Sequence, residues 1–290
     1  MPNRKLIYSS LGILLTFGLI FFGVTSHAQS QKLQVAFLDV GQGDAILISQ
    51  GEKQILIDGG PRGTKLLEKL GEYVPFWDRK IDVVIATHQD ADHITGLVDV
   101  LKNYSVDEVI ESGAESPSQV FGAMEKIISE KKVEKQLARR GMKIKLSDDA
   151  SLEIFSPTDA TIENLKKDDT NSASIVAKLT YGENSFLFTG DFPLESEGQL
   201  ISADLPLKSD VLKVSHHGSK SATSVPFLDY VKPEEAIISV GKDNRYGHPT
   251  AEVLERLKNA KIKILRTDLL GDVVYDCASV GDRCILENRQ

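Results

Sequence analysis

Histidines and carboxylates crowd one short stretch of this chain, ATHQDADHITG at positions 86–96. It places His88, Asp90, Asp92 and His93 within six positions. Imidazole nitrogen and carboxylate oxygen together suit zinc, manganese or iron. Alternate residues of an extended segment point to the same side, so the first three of these side chains are predicted to converge. Four ligands are too many for one tetrahedral ion with an open position, which indicates two adjacent ions.

A two-ion site also needs a bridging carboxylate and ligands from distant parts of the chain. Asp191, at the end of FLFTGD (186–191), is the candidate bridge, and KVSHHG (213–218) supplies His216 and His217. Of the six histidines, five lie in such clusters, the last of them being His248 in YGHP (246–249). Each cluster follows or adjoins a predicted strand, and loops at strand ends commonly carry functional residues. We therefore expect these clusters to form one site.

The hydrophobic pattern predicts the elements that must position these clusters. Helical spacing of apolar residues predicts helices at 64–73, 94–103, about 120–131 and from about 250 onward. Apolar runs and alternation predict strands at 33–41, 45–50, 54–60, 81–86, 106–110, 143–148, 151–157, 172–182, 184–191, 211–219, 236–241 and 261–265. The strands fall into two groups, each followed by helices. This order predicts one α+β domain, residues 33–286, with two sheets packed face to face and helices outside.

The first 28 residues have the composition of a signal peptide or an N-terminal membrane anchor. Arg4 and Lys5 precede a 14-residue apolar run ending at Val24, and a small-x-small cleavage site ends at Ala28. Fourteen residues form about 21 Å of helix, less than the roughly 30 Å of a bilayer core, which favours cleavage. Extending the run back to Leu6 reaches 19 residues, so an uncleaved anchor and membrane association stay open. Both alternatives predict an extracytoplasmic domain, secreted or held at the outer face of the membrane.

The charge balance bears on the kind of partner. The chain has a net charge of −8, and without Arg4 and Lys5 the remainder is near −10. Broad binding of duplex DNA requires a basic face, which this composition does not favour. No feature of the sequence indicates an obligate protein partner.

The two cysteines, Cys277 and Cys284, lie in VVYDCASVGDRCILE (273–287). Two short apolar runs flank a polar segment with a glycine, which is typical of a hairpin. In an exported chain this arrangement predicts a disulfide across the hairpin with a structural role.

The order of the polar stretches resembles that of the metallo-β-lactamase superfamily of hydrolases. More narrowly, it resembles the exported hydrolase domain of ComEC-type DNA-internalisation competence proteins. The matching stretches, which span about 215 residues, are FLDVGQGDAILI (37–48), ILIDGG (55–60), THQDADHITGL (87–97), NSASIV (171–176), FLFTGD (186–191), LKVSHHGSK (212–220) and YGHPT (246–250). The resemblance implies a four-layer αββα sandwich with a two-metal centre at one edge, between the sheets.

The resemblance also implies a set of ligands. His88 and Asp90 would bind one ion, the next acid–histidine pair the other, and Asp191 would bridge them. Of the histidine pair, His217 is favoured as a ligand, because superfamily members commonly place the ligand histidine before glycine, and His216 would then face the substrate. The implied metal ligands are His88, Asp90, Asp92, His93, Asn171, Asp191, His216 and His217.

Two of these positions depart from the broad superfamily. Asp90 and Asn171 stand where most members have histidine, and the ComEC-like branch shares both replacements. They make one metal position rich in oxygen ligands, which favours manganese or magnesium there, whereas zinc favours nitrogen and sulfur. The expected cofactors are therefore two divalent ions, zinc or manganese.

Two further turns in the matching stretches each leave two interpretations open. Asp58 in ILIDGG is predicted either to hold the ligand loop by hydrogen bonds or to be a simple turn aspartate. The Gly-x-Gly turn before Asp44 is predicted either to let backbone N–H groups approach a ligand or to be purely structural.

The implied activity is metal-dependent hydrolysis of phosphodiesters, with DNA as the leading substrate. Two divalent ions lower the pKa of a shared water. Asp191 and a second carboxylate such as Asp92 would orient it, and Lys220 or His248 would stabilise charge or protonate the leaving oxygen. The acidic chain favours local recognition, hence single strands or ends. The alternatives are another exported ester or small molecule, such as a lactam or a phosphocholine ester, and a degenerate, non-catalytic binding domain.

Overall fold

The computed structural model describes Leu14, Thr16 and Phe17, and residues 32–75, 77–167 and 169–287. Most of the expected N-terminal signal or anchor, with its cleavage site, lies outside the described residues. Among the residues that are described, no helix has the length and apolar character needed to cross a membrane.

The described strands alternate with helices along the chain. The strands are β1 (Leu33–Phe37), β2 (Ile46–Gln50), β3 (Lys53–Ile57), β4 (Lys80–Ala86), β5 (Ser105–Glu111), β6 (Glu134–Leu137), β7 (Lys143–Lys145), β8 (Ala150–Ser156), β9 (Val176–Tyr181), β10 (Asn184–Phe188), β11 (Val211–Lys213), β12 (Glu235–Ile238), β13 (Lys263–Arg266), β14 (Val273–Cys277) and β15 (Ile285–Leu286). The helices are α1 (Gly63–Tyr73), α2 (Ala91–Asn103), α3 (Gln119–Lys131), α4 (Asp159–Glu163), α5 (Leu194–Ser202), α6 (Val225–Val231), α7 (Ala251–Asn259) and α8 (Thr267–Leu270).

The strands form two mixed sheets. The first has the order β15-β14-β1-β2-β3-β4-β5-β6, and the second has the order β13-β12-β11-β10-β9-β8-β7. In the first sheet β3, β4, β5 and β6 run parallel. In the second sheet β10, β11, β12 and β13 run parallel. Each sheet therefore gathers the carboxyl ends of several strands at one edge, which is where a site built from strand-end loops is expected.

Apolar side chains fill the space between the sheets. The ring of Phe37 in β1 lies 6.1 Å from that of Phe188 in β10, and Tyr275 in β14 meets Phe186 edge-on at 5.3 Å. Alternate residues of each strand point inward because side chains alternate between the two faces of a sheet. These inward positions form one buried cluster that joins both sheets.

Helices cover the outer faces. Helices α1, α2 and α3 pack on the first sheet through residues such as Leu66 and Leu97, and α5, α6 and α7 pack on the second through residues such as Leu200 and Phe227. The four layers confirm the predicted αββα sandwich of the α+β class.

The start of α2 differs from the prediction. The helix begins at Ala91, with Asp90 as its extended N-cap residue (φ −73°, ψ 145°). Asp92 and His93 therefore lie in the first helical turn, so the argument that Asp92 alternates along an extended segment is wrong. Their side chains are placed by helical geometry, in which successive residues diverge by about 100°. The reason for the error is that an acid–histidine run after a strand does not show where the helix nucleates.

The C-terminal hairpin is as predicted. Strands β14 and β15 pair antiparallel, with Tyr275 opposite Leu286, and Cys277 is bonded to Cys284. The expected disulfide is confirmed.

Candidate metal centre

The polar clusters lie at one edge of the sandwich because the strands before them end there. His88 follows β4, Asp191 follows β10, and His216 and His217 follow β11. Asn171 precedes β9, which is antiparallel to β10, so the beginning of β9 meets the end of β10. The edge thus receives side chains from both sheets.

Asp191 lies between two groups of donors. Its Oδ1 is 3.3 Å from His93 Nε2 and 3.6 Å from His217 Nε2, and Asp92 Oδ2 is 3.6 Å from the same His217 atom. Its Oδ2 is 3.6 Å from His216 Nε2 and 3.9 Å from His88 Nε2, which in turn is 3.8 Å from Asp90 Oδ2. The Asp191 carboxylate therefore faces both donor groups and directs one oxygen to each.

The donor atoms fit bound cations. His93 Nδ1 donates to Asp58 Oδ2 at 2.8 Å, and His217 Nδ1 donates to the Ser239 carbonyl at 2.9 Å. The Nε2 atoms of the two neutral rings then present lone pairs to each other across 3.3 Å, beside a carboxylate oxygen. Such an arrangement of acceptors is stable only with a cation or a proton among them.

Further buried acceptors lack partners. Within the described part of the chain, no hydrogen bond reaches the buried atoms His88 Nε2, Asn171 Oδ1 and Asp191 Oδ1. Leaving buried polar atoms unsatisfied costs free energy, so each such atom in a folded protein needs an explanation. Divalent ions would use these lone pairs, and the residues present fit such a pair.

Asp58 fixes the loop that carries the histidines. Its fully buried carboxylate accepts hydrogen bonds from Thr87 N (2.8 Å) and Thr87 Oγ1 (2.7 Å), in addition to the one from His93. Asp58 adopts a left-handed backbone conformation (φ 59°), which directs its carboxylate to Thr87 and His93. The prediction that Asp58 holds the ligand loop by hydrogen bonding is confirmed.

A buried lysine, missed in the sequence, supports the other side of the site. Lys213 Nζ lies 2.8 Å from Asp44 Oδ2 and donates to the Val214 carbonyl at 2.8 Å. Asp44 Oδ1 lies 3.4 Å from Nδ1 of His217. Burial raises the pKa of Asp44, but Lys213 and then His217 outweigh it and hold that pKa well below its usual range. The only signal for this pair was a lysine inside an apolar strand.

The Gly-x-Gly turn before Asp44 has a structural role. A Cβ atom on Gly43 (φ 135°) would lie 2.1 Å from the carbonyl oxygen of Asp92. The close approach that Gly43 permits is therefore with the first turn of α2, which supports the structural interpretation of this glycine.

Both histidines of the SHHG turn adopt left-handed backbone conformations. His216 has φ 49° and His217 has φ 52°, a region that costs free energy for residues other than glycine. Hydrogen bonds hold the turn: Ser215 Oγ donates to the Phe192 carbonyl at 2.7 Å, and His216 N donates to the Gly190 carbonyl at 3.1 Å. The turn directs the two rings to opposite oxygens of Asp191.

Burial and mutual charge shift the pKa values of the cluster. Burial raises the pKa of Asp191, but His217 and His93 outweigh it and hold that pKa well below its usual range. Burial lowers the pKa of His93, but Asp191 and Asp58 raise it well above its ordinary value. The pKa of His217 rises to about 9, because Asp191 and Asp44 outweigh burial. Without bound ions, the His93–His217 pair is therefore expected to hold a proton at neutral pH, shared across the 3.3 Å between the two Nε2 atoms.

Metal binding is consequently expected to displace protons. A metal ligand must be neutral imidazole, and the pKa of His217 is about 9 without ions, so affinity should rise with pH up to that value. Each displaced proton changes the dissociation constant about tenfold per pH unit. We expect titration calorimetry with Mn²⁺ at pH 6, 7 and 8, in buffers of different ionisation enthalpy, to show this rise together with proton release. A pH-independent affinity without proton release would contradict the protonated state of the His93–His217 pair.

Of the two other predicted residues, His248 lies beside the cluster and Lys220 is exposed at the surface. The His248 ring lies 5.7 Å from that of His216, and its buried Nδ1 has no hydrogen-bond partner among the described residues. Burial, then His216 and His217, lower the pKa of His248. Lys220 is exposed, and in the described ranges its ammonium makes no hydrogen bond or ion pair. Thr170, which sequence analysis missed, donates to Asp90 Oδ1 at 2.5 Å.

Comparison with known proteins agrees with this geometry. The family model described as the metallo-beta-lactamase superfamily matches residues 38–242. ComE operon protein 3 of Bacillus subtilis strain 168 is 33% identical over 267 residues, which cover 85% of this chain and 33% of that protein. Recombination protein 2 of Haemophilus influenzae is 35% identical over 266 residues, which cover 90% of this chain and 30% of that protein. The chain thus spans about a third of the length of these relatives.

The fold is also found among solved structures. The metallo-beta-lactamase fold protein YhfI from Bacillus subtilis superposes with a TM-score of 0.56 at 12% identity, covering 84% of this chain and 100% of that one. ComE operon protein 3 and Recombination protein 2, the two relatives described above, are ComEC-type competence proteins. The sandwich, the donor cluster at its edge and the family match together place this chain in the metallo-β-lactamase superfamily, among relatives of the ComEC type.

Proposed function

We propose that this chain is a two-metal phosphodiesterase that cleaves DNA, with residues 33–286 as its hydrolase domain. The observation that carries the proposal is the position of Asp191, whose two oxygens face two separate groups of buried donors. Two-ion sites of this kind suit hydrolysis of phosphate esters, because they act on both the attacking and the leaving oxygen. The similarity to ComEC-type competence proteins supports DNA as the substrate.

The ligands divide between two positions. We assign His88, Asp90 and Asn171 to the first ion, whose oxygen-rich set suits manganese. Asp92, His93 and His217 would hold the second ion, and Asp191 would contribute to both. His216, whose ring is 29% exposed, lies on the side of the first position and faces the substrate.

The reaction assigns a task to each remaining side chain. The bound ions would supply a water of lowered pKa and neutralise charge on the phosphoryl group. Asp191 and Asp92 would orient this water by accepting its hydrogen bonds in line with the leaving oxygen. The lowered pKa of His248 keeps its ring neutral at pH 7, so it would bind a phosphoryl oxygen rather than act as a strong acid. Lys220, whose ammonium is exposed, would reach a phosphate only when substrate is bound.

The location follows from the N-terminal segment. We propose that residues 1–28 export the chain, as a cleaved signal or as an anchor at the outer face of the membrane. The expected substrate is then DNA outside the cytoplasm.

Two other kinds of function are alternatives to a nuclease: hydrolysis of another small molecule or ester, and binding without catalysis. A lactamase would use the same ions, but an oxygen-rich position with Asp90 and Asn171 suits phosphoryl transfer better. Hydrolysis of a phosphocholine ester is also phosphoryl transfer, and the similarity to ComEC-type competence proteins favours DNA over it. A non-catalytic binding domain has no use for the buried, unsatisfied acceptors at His88 and Asp191. Both alternatives remain outcomes of the test.

The test is a panel of ions and substrates. Metal-stripped protein is refilled with zinc, manganese or magnesium and assayed on single- and double-stranded DNA and on a chromogenic lactam. We expect cleavage of DNA that manganese stimulates most, with single strands or ends preferred. Lactam turnover without DNA cleavage under any ion would overturn the proposal, and no turnover with two bound ions would favour a binding domain.

A further inference from the structure

An aromatic side chain outside the ligand set lies close to the metal centre and is exposed. Tyr246 belongs to the loop between β12 and α7, and 53% of its surface is accessible to solvent. Its ring stacks on that of His248, with centroids 5.9 Å apart and planes inclined by 25°. The guanidinium of Arg245 lies over the Tyr246 ring, 5.3 Å from its centroid, and its Nη2 donates to Tyr246 Oη at 3.3 Å. Despite these contacts the Tyr246 side chain stays accessible to a ligand.

The loop that presents Tyr246 is held by its own hydrogen bonds. Asn244 Oδ1 accepts from Tyr246 N (3.2 Å) and His248 N (3.0 Å). Asn244 Nδ2 donates to the His248 carbonyl (2.7 Å) and the Gly241 carbonyl (3.0 Å). Gly241 in turn packs on the turn at Gln42, whose Oε1 accepts from Gly241 N at 3.3 Å. The ring is therefore presented in a set orientation rather than on a loose loop.

Consecutive ring contacts connect Tyr246 with the candidate centre. Tyr246 stacks on His248, the His248 ring lies 5.7 Å from that of His216, and His216 Nε2 lies 3.6 Å from Asp191 Oδ2. Two ring-to-ring steps thus separate the exposed aromatic surface from the position at which a phosphate would be hydrolysed.

We propose that Tyr246 is a stacking platform for an unpaired base of the DNA substrate, with Arg245 beside it binding the backbone phosphate. The inference rests on the proposed nuclease function and names the form of DNA that the site takes. Bases in a duplex are stacked on their neighbours and cannot cover the ring, so the platform selects single strands or frayed ends. Stacking is indifferent to base identity, so little sequence preference is expected. In a chain with a net charge of −8, such local contacts supply affinity that a broad basic face does not.

The experiment measures binding separately from cleavage. A fluorescein-labelled oligothymidylate of about ten nucleotides, a length in the range of single-strand sites, carries phosphorothioate linkages that resist cleavage and is titrated by anisotropy against the metal-loaded protein. Tyr246→Ala should weaken binding about tenfold or more, since one stacked base corresponds to a factor of about 5 to 150. Tyr246→Phe should stay within about twofold of the wild type, because it keeps the ring. Arg245→Gln should weaken binding and reduce the slope of affinity against salt by about one.

Two controls complete the design. Trp77→Ala removes an aromatic residue that is 75% exposed at the other end of β4, and it should change neither binding nor cleavage. An oligonucleotide of the same length without bases should bind wild type and Tyr246→Ala equally weakly, since it has nothing to stack.

The outcomes separate the two proposals. Equal affinity of wild type and Tyr246→Ala for the intact strand, equal affinity of wild type for intact and base-free strands, or no binding of the intact strand by the metal-loaded protein would overturn the stacking platform. DNA cleavage that persists in such a case would leave the nuclease proposal standing. The expected binding pattern without cleavage under any ion would instead support the platform and reject the nuclease.

Discussion

Replacing Asp191 with alanine is expected to remove both metal ions and to lower turnover of DNA by at least about a thousandfold, a loss of about 4 kcal/mol of transition-state stabilisation. The reason is its position: each of its oxygens lies within 3.9 Å of a histidine Nε2 from a different donor group. No other described carboxylate has a comparable place between the groups. The loss would therefore affect both ions rather than one.

The measurement combines metal analysis with kinetics. Mass spectrometry of dialysed protein should find two ions per chain in the wild type and fewer than one in Asp191→Ala. Circular dichroism should show that the variant is folded. Asp229→Ala, which removes an exposed carboxylate of α6, serves as the matched control and should keep both ions and full turnover. Retained turnover in Asp191→Ala would reject its assignment as the bridge.

Replacing Lys213 with methionine is expected to destabilise the fold by about 3–5 kcal/mol, because it removes the nearer of the two basic partners of the buried Asp44 carboxylate and leaves only His217, at 3.4 Å. The side chains of Lys213 and Asp44 are 0% and 2% exposed, so water cannot replace the lost partner. The effect is a large part of the total stability of an ordinary domain. Urea unfolding of metal-stripped protein measures it without a contribution from bound ions.

A double substitution distinguishes the ion pair from simple packing. Asp44→Asn combined with Lys213→Met removes both charges and should recover most of the lost stability, since paired removal of buried charges is often near neutral. Lys208→Met, on the exposed segment before β11, should change the free energy of unfolding by less than about 0.5 kcal/mol. An additive loss in the double variant would show that charge pairing is not the cause.

Most of the candidate site was accessible from sequence because its residues follow strands. His88, Asp191 and His217 follow apolar runs, and the carboxyl ends of parallel strands meet at one edge. The sequence pattern at 88–93 could not show where α2 begins, because an aspartate that caps a helix cannot be distinguished in sequence from an aspartate that binds a metal. As a result, Asp92 lies in a helix and not in the predicted extended segment. Its carboxylate nevertheless lies beside His217 in the cluster, as expected.

The parts that sequence analysis missed depend on partners distant in the chain. Lys213 sits within an apolar strand, and only the fold brings it to Asp44, more than 150 positions earlier. Tyr246 is one of seven tyrosines, and its exposure beside His248 follows from the Asn244 hydrogen bonds. Short helices such as α6, with seven residues, contain too few apolar repeats for periodicity to reveal them.

The donors of the candidate centre come from both layers of the sandwich: His88 and His93 from the first sheet and its helix, Asp191 and His217 from the second sheet. Ions held in this way would bind only when the two layers are docked, and their binding free energy would then add to the stability of the docked state. That contribution grows with the logarithm of the free metal concentration. Metal supply would therefore govern the lifetime of the protein as well as the proposed catalysis, because a metal-free molecule would unfold more often and be cleaved by proteases more readily.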